Sequence, residues 1–226
     1  MNDTLKKPPK RHFVKSKVTG GHYAFKTQKS AKPFTNKMGE CKSVKLYPDD
    51  VVADVGSYVG EYSLYALGQG VRKTISFEAT PQTFNLLSYN LGRSPYSNNS
   101  EAHNKAVVGT DIEFVDLYIS KGIGVTNSIA KSHGKLGRIK VPTIKYEDAV
   151  RDASVVKIDV EGAEYSYNII QPNLRAIILE FHPLVKEPWK RMAYQIMRDI
   201  ESAGFNPIMK PQFLNGWDMA GSWVKI

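Results

Sequence analysis

Residues 51–60 read Val-Val-Ala-Asp-Val-Gly-Ser-Tyr-Val-Gly, a short apolar run broken by glycine. Few folds accept that order. A β-branched run with almost no polar alternation is a strand buried on both faces, which needs flanking strands and helices covering each side. Glu61 to Leu67 then sets Leu64 and Leu67 at helical spacing, with Gly68 and Gly70 as stops. The alternation continues. Thr74–Phe77 reads as a second strand, and Thr80-Pro81 supplies an N-cap and a first-turn proline for a helix carrying Phe84, Leu87 and Leu91. Lys105–Val108, Ile112–Ile119 and Ile139–Ile144 are extended, and Gly122–Gly137 reads as a long loop. Val155–Ile158 and Arg175–Phe181 are further buried strands, Pro188–Ala203 is a helix, and Phe205–Ile226 suggests a closing antiparallel pair. Such alternation predicts an α/β, doubly wound, mostly parallel sheet. Ligands of these sheets sit beyond the carboxyl ends of the strands, so chemistry is expected just after Val55, Phe77, Ile158 and Leu179.

Charge divides the chain in two. Residues 1–45 hold 12 Lys/Arg against Asp3 and Glu40, whereas the other 181 residues hold 19 basic against 20 acidic side chains. We expect a basic, partly flexible arm at 1–45 and one folded domain at 46–226. The arm, residues 1–32 above all, suits an anionic partner such as nucleic acid, or is a solvated tail. A single cysteine, Cys41, excludes an internal disulfide and a thiolate metal cluster. No apolar run reaches the ~20 residues of a membrane span, and no secretory h-region is present, so a soluble, cytoplasmic protein is expected.

The strand ends carry the candidate chemistry. Gly56 and Gly60 bracket Ser57-Tyr58-Val59 in a turn where backbone can approach a ligand. Their spacing departs from the G-x-G-x-x-G of dinucleotide sites, which argues against an NAD-dependent oxidoreductase. Glu78 closes the second strand, 24 positions after Asp54, where a carboxylate can accept both hydroxyls of a ribose. Asp159 and Glu161 follow a third strand, and Glu180 and His182 a fourth. If these strands are neighbours, three carboxylates and an imidazole converge, which serves a general base or a cation. Alternatively Asp159 and Glu161 cap a following helix.

Together these stretches resemble the FkbM-type methyltransferases: Val51-Val52-Ala53-Asp54-Val55-Gly56 to Gly60-Glu61-Tyr62-Ser63, Phe77-Glu78 to Leu87, Asn104-Lys105-Ala106-Val107, Asn127-Ser128-Ile129, Lys157-Ile158-Asp159-Val160-Glu161-Gly162-Ala163-Glu164 and Ile178-Leu179-Glu180-Phe181-His182-Pro183. The resemblance runs from about Val51 to Pro183. It implies a seven-stranded Rossmann-like sheet and S-adenosylmethionine (SAM) as methyl donor. It also implies O-methylation of a hydroxyl on a small or glycan-like acceptor. By motif position, Asp54, Gly56, Ser57, Tyr58 and Gly60 form the cofactor turn and Glu78 takes the ribose. Asn104 and Ala106 lie near the adenine, and Asp159 faces the sulfonium. His182 or Asp159 is expected as the base, oriented by Glu161 and Glu180, unless a divalent cation such as Mg²⁺ activates the acceptor. The alternatives are an RNA-directed methyltransferase or nucleic-acid binder using the arm, and a degenerate SAM-binding scaffold. The last follows from Tyr58, which stands where the family usually has Asn.

Overall fold

A computed structural model gives the fold and describes residues 12–15, 22–25, 39–120, 127–129, 135–184, 188–214 and 218–225. Within the arm, β1 (His12–Lys15) and β2 (His22–Phe25) pair antiparallel. A short helix α1 (Gly39–Ser43) leads into the body. Cys41 and Val44, from the segment assigned to the arm, are already buried in the core.

The body alternates as its hydrophobic pattern requires. In order come β3 (Val51–Val55), α2 (Glu61–Gly68), β4 (Lys73–Phe77), α3 (Pro81–Gly92), β5 (Ser100–His103), β6 (Ala106–Val108), β7 (Phe114–Ser120) and β8 (Lys135–Lys145). Then follow α4 (Tyr146–Ala149), β9 (Val155–Ile158), β10 (Ala176–Phe181), α5 (Trp189–Ser202), β11 (Phe205–Leu214) and β12 (Asp218–Lys225). Seven strands form the main sheet in the order β11-β12-β10-β9-β3-β4-β5. β5, β4, β3, β9 and β10 are mutually parallel, and β12 runs antiparallel to both β10 and β11. The chain builds outward from β3 to β5, then returns to β3's other side with β9. The strand order therefore reverses between β3 and β9, and a crevice is expected there.

Side chains of successive residues point to opposite faces of a strand, and the core divides accordingly. Ala53, Val55, Val156, Ile158, Ile177 and Leu179 pack in one cluster with Ala193, Met197 and Ile200 of α5 and with Trp223. Val52, Val155, Ala176 and Ile178 pack in the other with Tyr62, Ala66 and Leu67 of α2 and Leu87 and Leu91 of α3. The period-two split gives both faces an apolar layer, and each helix contributes residues three or four apart.

The segments expected to be extended between Lys105 and Ile144 are strands, but they leave the main sheet. β6, β8 and β7 form a separate three-stranded sheet, with β6 parallel and β7 antiparallel to β8. Ala106, Leu117 and Val141 make its small core. Most of the expected 122–137 loop lies outside the described residues. No helix among the described residues is long and apolar enough to cross a membrane.

Candidate active site

Parallel registration brings four strand ends to one line: Val55 pairs with Phe77 on one side and Ile158 on the other, and Ile158 with Leu179. Beyond Val55 the chain turns sharply. Gly56, Tyr58 and Gly60 have φ of +83°, +50° and +89°. The Gly56 and Ser57 amides both donate to the Phe77 carbonyl, at 3.0 and 2.9 Å, and fold the turn across the end of β4. A Cβ on Gly56 would lie 1.8 Å from the Asp159 carbonyl oxygen, so this position admits no side chain.

Glu78 sits behind the turn, 9% exposed. Its carboxylate accepts the Tyr58 amide at 3.1 Å and the Thr80 amide at 2.8 Å. Burial pushes the carboxyl up to about 7, although these amides, the Thr80 hydroxyl and Lys157 favour its charge. Asn104 donates to the carbonyls of Glu78 and Ala79 at 2.8 and 3.1 Å, and so pins the backbone on which Glu78 stands. Thr80 occupies the expected N-cap, but its hydroxyl does not cap α3 and instead accepts from Asn127 at 3.1 Å.

On the other side of β3 lies a charged cluster. His182, 6% exposed, follows β10. Its Nε2 faces Asp159 Oδ1 at 3.5 Å, Glu161 Oε1 at 3.7 Å and Glu180 Oε1 at 3.8 Å. Its Nδ1 lies 3.5 Å from Oε1 of Glu164, which is fully buried. Glu164 clips two segments together, accepting the Gly162 amide at 2.8 Å and the His182 amide at 2.7 Å. Burial opposes a charge on His182, but Glu164, Glu161 and Asp159 together hold the imidazole well above its ordinary value. Burial raises the Glu161 carboxyl to about 7, with the His182 charge pulling the other way and Asp159 adding to the rise.

Asp159 and Glu161 do not cap a helix. Glu161 takes φ +57° in a tight turn, and a single 3₁₀ turn at Glu164–Ser166 follows. Of the two alternatives at this segment, the helix-cap one is therefore corrected: no helix begins there for these carboxylates to cap.

The model of the methyltransferase FkbM domain matches residues 54–207. The chain belongs to the FkbM methyltransferase family. No curated protein sequence matches it. Among solved structures it is similar to M. capricolum TrmK in complex with its natural cofactor product S-adenosyl-homocysteine, at TM-score 0.50 and 8% identity over 88% of this chain and 68% of that one. It is also similar to precorrin-6y C5,15-methyltransferase from Geobacter metallireducens GS-15, at TM-score 0.49 and 11% identity over 83% and 86%. The first of these shows a shared Rossmann-like methyltransferase fold and nothing finer.

In this FkbM methyltransferase the candidate residues fall into two groups. Gly56, Tyr58, Gly60, Glu78 and Asn104 surround the turn. Asp159, Glu161, Glu180 and His182 form the cluster. Asp54 and Ser57 face inward: Asp54 is fully buried and accepts from the Ser63 hydroxyl at 2.6 Å, while the Ser57 hydroxyl donates to the Asp54 carbonyl at 2.6 Å. Ala106 is buried in the small sheet. Two residues went unassigned in the sequence. Glu164 is one. The other is Lys157, whose Nζ reaches the Gly56 carbonyl at 3.2 Å, Asp159 Oδ2 at 3.3 Å and Asp54 Oδ1 at 3.6 Å. Burial opposes its charge, but Asp159 and Asp54 hold the ammonium well above its usual range. Lys157 thereby ties the glycine turn to the cluster. The two midstrand positions Asp54 and Lys157 sit opposite each other in the β3–β9 register, and a charged residue at each was the available signal.

Proposed function

We propose that this methyltransferase uses SAM to methylate a hydroxyl oxygen of a small or glycan-like acceptor. The donor's residues fit. The turn at Gly56 is bare of side chain, and each oxygen of Glu78 takes only one backbone amide. A carboxylate has about four acceptor positions; the two amides and the Thr80 hydroxyl take three, which leaves one for a ribose hydroxyl. Gly56, Tyr58, Gly60 and Glu78 hold the adenosine end in this reading, and Asp159 faces the sulfonium. The bound donor supplies a methyl group on positively charged sulfur.

The chain's own task is to align the acceptor and remove its proton. The acceptor oxygen forms a bond to the methyl carbon, the carbon–sulfur bond breaks, and its electron pair stays on sulfur. Alignment of this kind is worth roughly 7–11 kcal/mol. A neutral amine needs no prior deprotonation to attack, whereas an alcohol does. The single observation that carries the choice of oxygen is the convergence of Asp159, Glu161 and Glu180 on His182 beside the turn. Those three carboxylates are the groups available to take the proton. His182, ringed by them and by Glu164, is placed to orient them.

The test is transfer of a labelled methyl group from SAM to hydroxylated glycans, small hydroxylated metabolites and RNA. The expected product is a methyl ether, with one S-adenosylhomocysteine formed per methyl transferred. Label found only on nitrogen or carbon would overturn the choice of oxygen.

A further inference from the structure

We propose that Asp159, Glu161 and His182 bind a divalent transition-metal cation, through Oδ1, Oε1 and Nε2, and that the acceptor hydroxyl is activated on it. The proposal rests on the reading of this cluster as the acceptor-activating site and names the agent that acts there.

The three donor atoms lie within 4.8 Å of one another, with Nε2 3.5 Å from Oδ1 and 3.7 Å from Oε1. These separations exceed the roughly 2.7–3.2 Å of an N–H···O hydrogen bond. They are ion-pair distances, and they also fall within the range of donors that share one cation. Donors about 2.1 Å from one ion stand about 3.4 Å apart in a tetrahedron, and about 3.0 or 4.2 Å apart in an octahedron.

The His182 ring is buried, and its Nδ1 has no hydrogen-bond partner at normal length. That nitrogen faces Glu164, a fully buried carboxylate at 3.5 Å, whose position is fixed by the Gly162 and His182 amides. With a metal on Nε2 the ring proton would sit on Nδ1, and Glu164 is the carboxylate placed to accept it, as behind a metal-bound histidine. Lys157 sets Asp159 from behind. It takes Oδ2 and leaves Oδ1 toward His182. Each proposed ligand thus has one atom facing the common point, and two of the three are set from behind.

Donor chemistry selects the ion. One imidazole with two carboxylates suits Mn²⁺ or Zn²⁺ better than Mg²⁺, which favours oxygen ligands and retains its waters. Three protein ligands leave positions open, and a hydroxyl bound at one of them loses its proton more readily. Glu180, outside the ligand set but 3.8 Å from Nε2, is the carboxylate left to receive that proton.

The test uses the full chain, freed of metal by chelator and titrated with Mn²⁺ while the signal of the free ion is followed by electron paramagnetic resonance. One Mn²⁺ per chain is expected, displaced by Zn²⁺, with pulsed measurements showing coupling to one imidazole nitrogen. E161Q should weaken Mn²⁺ binding at least tenfold, and E164Q about tenfold or more by loosening the ring, while SAM affinity by calorimetry stays within twofold. If wild type binds neither Mn²⁺ nor Zn²⁺ at millimolar concentration but still binds SAM, the metal site is wrong and the methyltransferase reading stands. Binding without nitrogen coupling, or unchanged in E161Q, places the ion elsewhere and also overturns the site. The nitrogen coupling is read on wild type, so it decides the matter even where a variant fails to fold. Loss of SAM binding in wild type would instead remove the reading on which the proposal stands.

Discussion

The Glu78 carboxyl, pushed up to about 7 by burial, is half protonated near neutral pH. Its unfolded value is close to 4.5, so the folded chain binds the extra proton between those values. Stability from this group is greatest at low pH and declines as pH rises toward 7, the reverse of an ion-paired acid. In the proposed role a ribose hydroxyl donates to the charged form of Glu78, and SAM binding then runs the other way. Affinity measured by calorimetry should fall about tenfold per pH unit below 7, in parallel with the Glu78 titration. E78Q should lose about 10–100-fold in SAM affinity and flatten that dependence, because a hydrogen bond to a charged group is worth roughly 1.5–3 kcal/mol. A pH-independent affinity in wild type would separate Glu78 from the ribose. At this scale the sequence was legible wherever a polar residue closed an apolar run: Glu78, Asp159, Glu180 and His182 are such residues. It was silent on Glu164, because five residues beyond Asp159 nothing in the spelling says that the chain folds back to set a carboxylate behind His182. It was silent too on the inward turn of Asp54, which depends on Ser63 and Lys157 arriving from other elements.

Individual elements are joined at the amino-terminal end of the sheet by one carboxylate. Asp50, just before β3, accepts from the Ser154 hydroxyl at 2.7 Å, Arg175 Nε at 2.8 Å and the Tyr47 amide at 2.7 Å; Arg175 Nη2 makes a second bond to it. Ser154 precedes β9 and Arg175 precedes β10, so three central parallel strands share this knot. Burial opposes the Asp50 charge, but Arg175, Ser154 and Tyr47 hold the carboxyl below its usual range. D50A should destabilise the fold by about 2 kcal/mol, less than a fully buried pair because the Arg175 side chain is 29% exposed. Thermal denaturation should show a fall of about 4–8 °C. The sign with pH follows: the contribution is present above the unfolded value near 3.9 and lost as pH falls through the lower folded value, so the two chains should converge in acid. An equal gap at pH 3 and pH 7 would refute the ionic account. Element identity was readable because β3, β9 and β10 are apolar on both faces. Partnership was not. The strands β6, β7 and β8 were visible as extended, yet the Ala106–Thr143 pairing spans the whole β7 excursion, and local pattern carries no trace of such a long-range choice.

Across the whole molecule the charge is segregated, and the segregation has a placement. The arm's strand β2 lies against α3, the helix that starts two residues after Glu78-Ala79, so that strand of the arm sits near one flank of the body. Residues 1–32 carry nine Lys/Arg and one acid, Asp3. Taken as an electrostatic tether, they bound what salt can do. Each single-strand phosphate neutralised contributes about −0.7 to the slope of log affinity against log salt, so nine cations limit the slope to about −6. Single-stranded RNA titrated into the full chain between 50 and 300 mM salt should bind with a slope between about −3 and −6, and a chain lacking residues 1–32 should lose that binding because the remaining body is near neutral. A steeper slope would require cations from the body, where acids and bases nearly balance. A flat one would mean that the charge is spent on solvation alone. The acceptor chemistry does not hang on either result, since the cluster around His182 is built from β9, β10 and the turn after them, none of which the arm supplies.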